Sequence, residues 1–263
     1  MPATASDPEP RRVLRKMKTR LDKLLVDRGV ISTRERAQAM ILAGRVLVNE
    51  QKISKPGTSV PDDAVFRLLG EEIRYVSRGG LKLEAALAHW QIDLQNRFCL
   101  DVGTSTGGFT DCMLQHGAAR VLAVDTGYGQ IAQSLRSDPR VSLMERTNAR
   151  LLVPGDLPDG LSFVAMDVSF ISATLVLPPV VEAAFRNRDG IVEAVVLIKP
   201  QFEAGRQHIG KGGIVRDPAA HQLSIDRVRS CILELDAKDV EVIDSPITGA
   251  EGNREFLLHA RFS

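Results

Sequence analysis

Leu100-Asp101-Val102-Gly103-Thr104-Ser105-Thr106-Gly107-Gly108-Phe109 is the stretch on which the fold turns. An apolar run ends in Gly103, and a helical pattern opens near Gly107. Glycines at such a turn let a ligand approach the backbone at the carboxyl edge of a first parallel strand. The spacing is not the G-x-G-x-x-G of dinucleotide-binding turns, and no P-loop lysine follows.

An acid stands two residues before the first glycine. Asp101 suits a positively charged amino-acid moiety, such as that of S-adenosylmethionine (SAM), better than a pyrophosphate. Ala123-Val124-Asp125 closes the next apolar run with a second acid, placed where nucleotide-binding α/β folds hold ribose hydroxyls. The expected cofactor set is Asp101, Gly103, Ser105, Thr106, Gly107, Gly108, Phe109 and Asp125 from these segments, with Asn148 further along the chain.

Outward from the turn, apolar runs alternate with amphipathic segments. Strands are expected near 97–102, 120–125, 140–145, 161–167, 192–198, 239–243 and 255–262. Helices are expected near 81–90, 107–116, 129–136, 172–185 and 218–235. That alternation argues for an α/β fold, a parallel sheet with helices on both faces.

The amino-terminal part reads differently. Residues 1–19 are expected to be a disordered basic tail, and residues 20–72 a small α+β module. Leu21, Leu24 and Leu25 mark one apolar helix face. Ser32-Thr33-Arg34-Glu35 reads as a capping box, Ser32 at the N-cap and Glu35 three residues on. Ala37, Met40 and Ile41 form the next buried stripe, Gly44 caps it, and Arg45-Val46-Leu47-Val48-Asn49 turns to strand alternation. Residues 73–79 read as a linker, with Arg74-Tyr75-Val76-Ser77-Arg78 coupling the halves, and residues 80–263 as the main domain.

Charge separates the halves. The chain of 263 residues carries a net +1, yet residues 11–60 hold 13 basic and 4 acidic side chains, and the remainder holds 21 and 29. A strongly basic module on an acidic body points to a polyanion partner at one end. Three scattered cysteines, with no C-x-x-C pair, argue against a disulfide framework or a metal site and for a reduced, cytoplasmic setting. No apolar run approaches the ~18 residues that span a membrane, and no signal peptide is apparent.

Two further residues close apolar runs. Asp167 stands in Met166-Asp167-Val168-Ser169-Phe170, and Lys199 in Leu197-Ile198-Lys199-Pro200-Gln201-Phe202-Glu203. Each alone reads equally well as a capping aspartate or a snorkelling lysine. Together with Ser77-Arg78-Gly79-Gly80-Leu81-Lys82-Leu83-Glu84, the Asp101–Asp111 stretch and Gly252-Asn253-Arg254-Glu255-Phe256, they resemble the TlyA-type ribosomal RNA 2′-O-methyltransferases, from about residue 20 to 262. That resemblance implies an amino-terminal RNA-binding domain like that of ribosomal protein S4. It also implies a Rossmann-like domain similar to the FtsJ-type ribose methyltransferases: a seven-stranded, mostly parallel sheet with an antiparallel last strand.

The resemblance implies a Lys-Asp-Lys-Glu tetrad at Lys82, Asp167, Lys199 and Glu255, SAM as methyl donor, and cytidine riboses of 16S or 23S rRNA in ribosomal subunits as targets. Lys199 is the expected proton acceptor or proton-steering group. A base must be neutral: burial and the neighbouring Lys82 favour that state, while Asp167 and Glu255 oppose it. Phosphate contacts are expected from Arg20, Lys23, Arg34, Arg36, Arg45, Lys52, Lys55 and Arg78. Gly205–Gly213, with four glycines in nine residues, is expected to form a mobile loop beside the site.

Two other readings compete. A non-catalytic RNA-binding assembly protein is disfavoured by the intact tetrad. A DNA or small-molecule methyltransferase is disfavoured because Asp167-Val168-Ser169-Phe170 stands where amino-group DNA enzymes often carry D/N-P-P-Y/F, and because of the basic module. The haemolysin label attached to this family finds no support in a membrane span or a strongly amphipathic basic helix.

Overall fold

The computed structural model describes residues 18–69, 74–185, 192–249 and 251–262. The chain divides into two compact units, Met1–Glu72 and Ile73–Ser263.

In the first unit Leu21, Leu24 and Leu25 of α1 (Leu21–Asp27) are buried, as are Ala37, Met40 and Ile41 of α2 (Arg34–Leu42). Strand β1 (Lys18–Arg20) precedes α1, so residues 18 and 19 are not tail; the rest of the expected tail lies outside the described residues. After α2 come β2 (Val46–Val48), β3 (Gln51–Lys52), β4 (Ser59–Pro61) and β5 (Phe66–Leu68). β1 pairs with β4, and β2 lies between β3 and β5.

Two local expectations are corrected. The N-cap of α2 is Thr33, not Ser32: Thr33 is extended and its hydroxyl accepts the Arg36 N–H at 3.3 Å, which puts Arg36 rather than Glu35 at the third helical position. Strand β2 does not alternate, because all three of its residues are buried at the centre of its sheet. Gly44 does follow α2 at φ +65°, with its own N–H on Ile41 and that of Arg45 on Met40. This pairing satisfies the last carbonyls of the helix.

The second unit opens with α3 (Gly79–His89), so the expected linker stops at Arg78. A seven-stranded sheet follows. Its elements are β6 (Phe98–Val102), α4 (Gly108–Gln115), β7 (Arg120–Val124), α5 (Gln133–Arg136), β8 (Val141–Met144), β9 (Leu161–Met166), α6 (Leu177–Phe185), β10 (Val192–Ile198), α7 (Pro200–Glu203), α8 (Pro218–Glu234), β11 (Lys238–Asp244) and β12 (Phe256–Phe262). The strand order is β11-β12-β10-β9-β6-β7-β8, and β12 alone runs antiparallel to its neighbours.

Side chains alternate across this sheet, as strand geometry requires. Leu100, Val102, Val164, Met166, Val196 and Ile198 pack on one face under α6 and α8; Cys99, Phe163, Ala165, Val195 and Leu197 pack on the other under α3 and α4. With both faces covered, every residue of β10 is buried, which is why it reads as a continuous apolar run. Two helices are shorter than their periodicity suggests. Gly129 sits at φ +71°, and α5 starts only at Gln133. Pro178 and Pro179 confine α6 to a start at Leu177, since proline fits only the first turn; a 3-10 turn, Ala173–Leu175, precedes it.

Candidate active site at the carboxyl edge of the sheet

The order reverses between β6 and β9: the chain leaves β6 toward β7 on one side and returns to β9 on the other. Ligands of open α/β sheets bind at the carboxyl ends of strands beside such a switch. Gly103 follows β6 there at φ +86°, and a Cβ on it would fall 2.4 Å from the carbonyl oxygen of Asp167. Only glycine permits the two strand ends to lie this close. Gly107 begins α4 at φ +96°, where a Cβ would meet Leu135. Its role is to shape the turn.

Between these glycines Ser105 is held at φ +50°, and its N–H donates to Asp125 Oδ2 at 2.7 Å. Asp125 Oδ1 accepts the Gly127 N–H at 2.6 Å. The acid that closes β7 is therefore fixed by two backbone donors.

Two adjoining cavities open at this edge. The larger, about 420 Å³, is lined by Gly103, Ser105, Asp125, Asn148, Val168 and Ile171 among others. The smaller, about 260 Å³, is lined by Arg78, Lys82, Thr106, Gly108, Phe109 and Lys199. Gly103, Ser105, Asp167 and Ser169 line both. A third cavity, about 550 Å³, lies between α8 and β11 and touches none of these residues.

Asp101 is wholly buried and lines neither main cavity. Its Oδ2 accepts the Thr110 hydroxyl at 2.6 Å, and its Oδ1 has no hydrogen-bond partner. Burial first, with the nearby charges of Asp167 and Asp125, pushes its carboxyl up to about 7, against the hydrogen bond from Thr110. An orphaned acceptor of this kind fits a cationic ligand group.

The four tetrad positions form two ion pairs, one buried and one partly buried. Lys82 Nζ, from α3, lies 2.5 Å from Glu255 Oε2, just before β12. Lys199 Nζ, at the end of β10, lies 2.5 Å from Asp167 Oδ1, at the end of β9. Lys199 also donates to Ser169 Oγ at 2.6 Å. Lys82, Asp167 and Lys199 line the smaller cavity; Glu255 reaches it through Lys82.

Neighbouring segments brace these pairs. Asn253 donates to the Gly213 carbonyl and accepts the Val215 N–H, pinning the glycine-rich segment next to Glu255. That segment is not irregular throughout: it makes two 3-10 turns, Arg206–His208 and Lys211–Gly213. Glu203 is buried, and burial pushes its carboxyl upward despite hydrogen bonds from the Ser172 hydroxyl (2.5 Å) and the Ala173 N–H (2.7 Å). It ties the loop after β9 to α7. Phe170 is 92% exposed at φ +64°, its ring 5.4 Å from that of Phe202.

Ser169, Phe170 and Glu203 were given no role by the sequence reading. The signals were an aromatic and a hydroxyl directly after Asp167, and an acid inside an otherwise apolar segment.

Of the residues expected to contact phosphates, the first unit joins Arg20 and Arg34 on one group. Asp22, fully buried, accepts from Arg20 at 2.9 and 3.0 Å, from Arg34 at 3.0 Å and from Gln38 at 2.9 Å. These donors, Arg20 foremost, hold its carboxyl well below the ordinary carboxylate range. Both guanidiniums remain about half exposed. Lys23, Lys52 and Lys55 are exposed, Arg36 donates to Ser32 Oγ, Arg45 donates to the Leu69 carbonyl, and Arg78 belongs to the wall of the smaller cavity.

A switch-point site with acids closing β6 and β7, beside paired lysines and carboxylates, defines an α/β methyltransferase fold. The model of the FtsJ-like methyltransferase family matches residues 75–262, and that of the S4 domain matches residues 19–65. The chain belongs to the FtsJ-like methyltransferase family, within the group that carries an S4 domain and includes TlyA. The 16S/23S rRNA (cytidine-2′-O)-methyltransferase TlyA of Mycobacterium tuberculosis is 43% identical, the match covering 93% of this chain and 90% of that protein. Hemolysin A of Brachyspira hyodysenteriae is 41% identical over 91% of this chain and 98% of its own length. A solved structure from Streptococcus thermophilus, 43% identical, superposes with a TM-score of 0.71 over 94% of this chain and 89% of that one. A SAM-dependent methyltransferase from Mesorhizobium loti, 15% identical with a TM-score of 0.50, covers 68% of this chain and 96% of its own; it shares the fold. Among the described residues no helix is long and apolar enough to cross a membrane.

Proposed function

We propose that this chain methylates ribose 2′-hydroxyls of ribosomal RNA, with cytidines of the small or large subunit as targets and SAM as donor. The observation that carries the reading is the meeting of two lysine–carboxylate pairs, from α3, β9, β10 and the start of β12, in a cavity that adjoins the Asp125 cavity.

The residues present fit SAM. Asp125, held by two backbone N–H groups, stands where ribose hydroxyls are bound in such folds. Asp101 lines neither cavity, but it directly precedes the cavity-lining Val102 and Gly103, and its Oδ1 has no partner. Gly103, Ser105 and Asn148 border the same space. SAM, when bound, supplies a methyl group on a sulfonium sulfur that leaves as a neutral thioether.

The chain's own part is to orient the ribose hydroxyl and remove its proton. Lys199 is the acceptor we assign, because its amine is buried and held at the cavity wall. The Lys82–Glu255 pair sets the charge opposite. Orientation of this kind can lower a barrier by ~7–11 kcal/mol when the reacting atoms are held about 3–3.5 Å apart. The Arg20–Asp22–Arg34 cluster would contact RNA phosphates, which position a substrate without reading its sequence. Ribosomal subunits place the reaction in the cytoplasm.

The test is to incubate the purified chain with SAM and ribosomal subunits and to map ribose methylation across both rRNAs. New 2′-O-methylcytidine that is lost in Lys199→Ala supports the reading. Methyl transfer to base nitrogen, or only to DNA, would overturn it.

A further inference from the structure

The two contacts of the Lys199 amine differ in kind. Nζ lies 2.5 Å from Asp167 Oδ1 as an ion pair, but the heavy atoms of that contact do not have hydrogen-bond geometry. The directed hydrogen bond goes to Ser169 Oγ at 2.6 Å. Ser169 stands two residues beyond Asp167, lines both cavities and is exposed, whereas Lys199 is buried.

An amine at the end of a lysine stem has freely rotating donors. A neighbouring charge therefore fixes where the nitrogen sits but not where its lone pair points. A hydrogen bond fixes direction, because it weakens steeply away from linearity. We propose that Ser169 is a positioning residue for the methyl transfer. Its hydroxyl takes one N–H of Lys199 and so turns the lone pair of the neutral amine toward the ribose hydroxyl, whose proton moves onto Nζ as the new C–O bond forms.

The loop that carries Ser169 is built to hold it there. Glu203 binds Ser172 and Ala173 from α7, which directly follows Lys199, so the clamp joins the two chain segments that bear the donor and the acceptor. The other charged groups around Nζ are Asp167 in contact, Lys82 with Glu255, Arg78 on the same cavity wall, and Asp101 buried near Asp167. None of them makes a hydrogen bond to the Lys199 amine.

The inference rests on Lys199 as proton acceptor, so the experiment separates the two. Rates of rRNA methylation are measured against pH at saturating SAM and RNA for the full chain, Ser169→Ala, Ser169→Thr and Lys199→Ala. Saturating SAM removes any change in cofactor affinity, and the exposed position of Ser169 spares the fold. Ser169→Ala should lower kcat roughly tenfold to a hundredfold. It should also move the acid limb of the profile to lower pH, because an ammonium that has lost its acceptor releases its proton more readily. Ser169→Thr, which keeps the hydroxyl, should restore both. An unchanged Ser169→Ala profile with an inactive Lys199→Ala overturns the role of Ser169 and leaves that of Lys199 standing. An active Lys199→Ala overturns both. A lowered plateau with an unmoved limb that threonine does not restore marks packing alone and also refutes the proposal.

Discussion

Asp101→Asn probes the charge built into the site. The native carboxyl is wholly buried and pushed by that burial from an ordinary 3.8 up to about 7. Between these values the folded chain keeps a proton that the unfolded chain has lost. The folded state thus binds more protons, and stability falls as pH rises through this window. A separation of about three units amounts to ~4 kcal/mol at full ionisation, of which ~2.5 kcal/mol falls between about pH 5 and pH 8. Asparagine can keep the bond from Thr110 on its oxygen, and it places an amide where Oδ1 had no partner. That amide costs ~1–3 kcal/mol, the same at every pH.

The measurable quantity is therefore a difference of differences. Urea unfolding of both proteins without SAM, at the two pH values, should show the wild-type chain losing about 2.5 kcal/mol relative to the variant from the lower pH to the higher. Trp90, the single tryptophan, caps α3 in the same unit as Asp101 and reports on that unit. With saturating SAM the dependence should shrink, since a cationic amine near Oδ1 favours the ionised carboxylate. Parallel stabilities at the two pH values would refute the reasoning, because they would mean that the buried carboxyl is no more basic than an exposed one.

Two other outcomes follow from the geometry. Lys82→Ala should cut methyl transfer ~10²–10³-fold and also cost about 3–5 kcal/mol of stability, because it strands the buried Glu255; the Lys82→Ala, Glu255→Ala double variant should regain much of the stability by thermal unfolding while staying inactive. In filter binding to rRNA, the logarithm of affinity should fall with the logarithm of salt by about 0.7–0.9 per phosphate contacted, and Arg20→Ala or Arg34→Ala should each reduce that slope by about one contact; unchanged slopes would remove the Asp22 cluster from the RNA interface.

The sheet was legible because both of its faces are covered. Strands buried on two sides read as apolar runs, and the glycines and acids that end them mark the edge where ligands gather. The tetrad was legible only through resemblance: a lysine after an apolar run and an aspartate at a strand end look the same whether they cap, snorkel or catalyse. Asp101 shows what one sequence leaves open and how far elementary geometry could have gone. Leu100 and Val102 lie on the face packed by α6 and α8, and Cys99 on the face packed by α3 and α4. Period-two alternation puts Asp101 on the same side as Cys99, beneath the helix that supplies Thr110. Its parity thus directs it into the layer under α4 and away from open solvent, while Asp125, just past the last residue of β7, is free to turn toward the cavity. Two acids that look alike in the sequence are divided by two positions of register: Asp101, inside β6, is buried with its carboxyl pushed up, and Asp125, past the end of β7, is held by two backbone donors. That division leaves an acceptor without a partner in the buried layer under α4, and the difference in pH dependence between the wild-type chain and Asp101→Asn measures it.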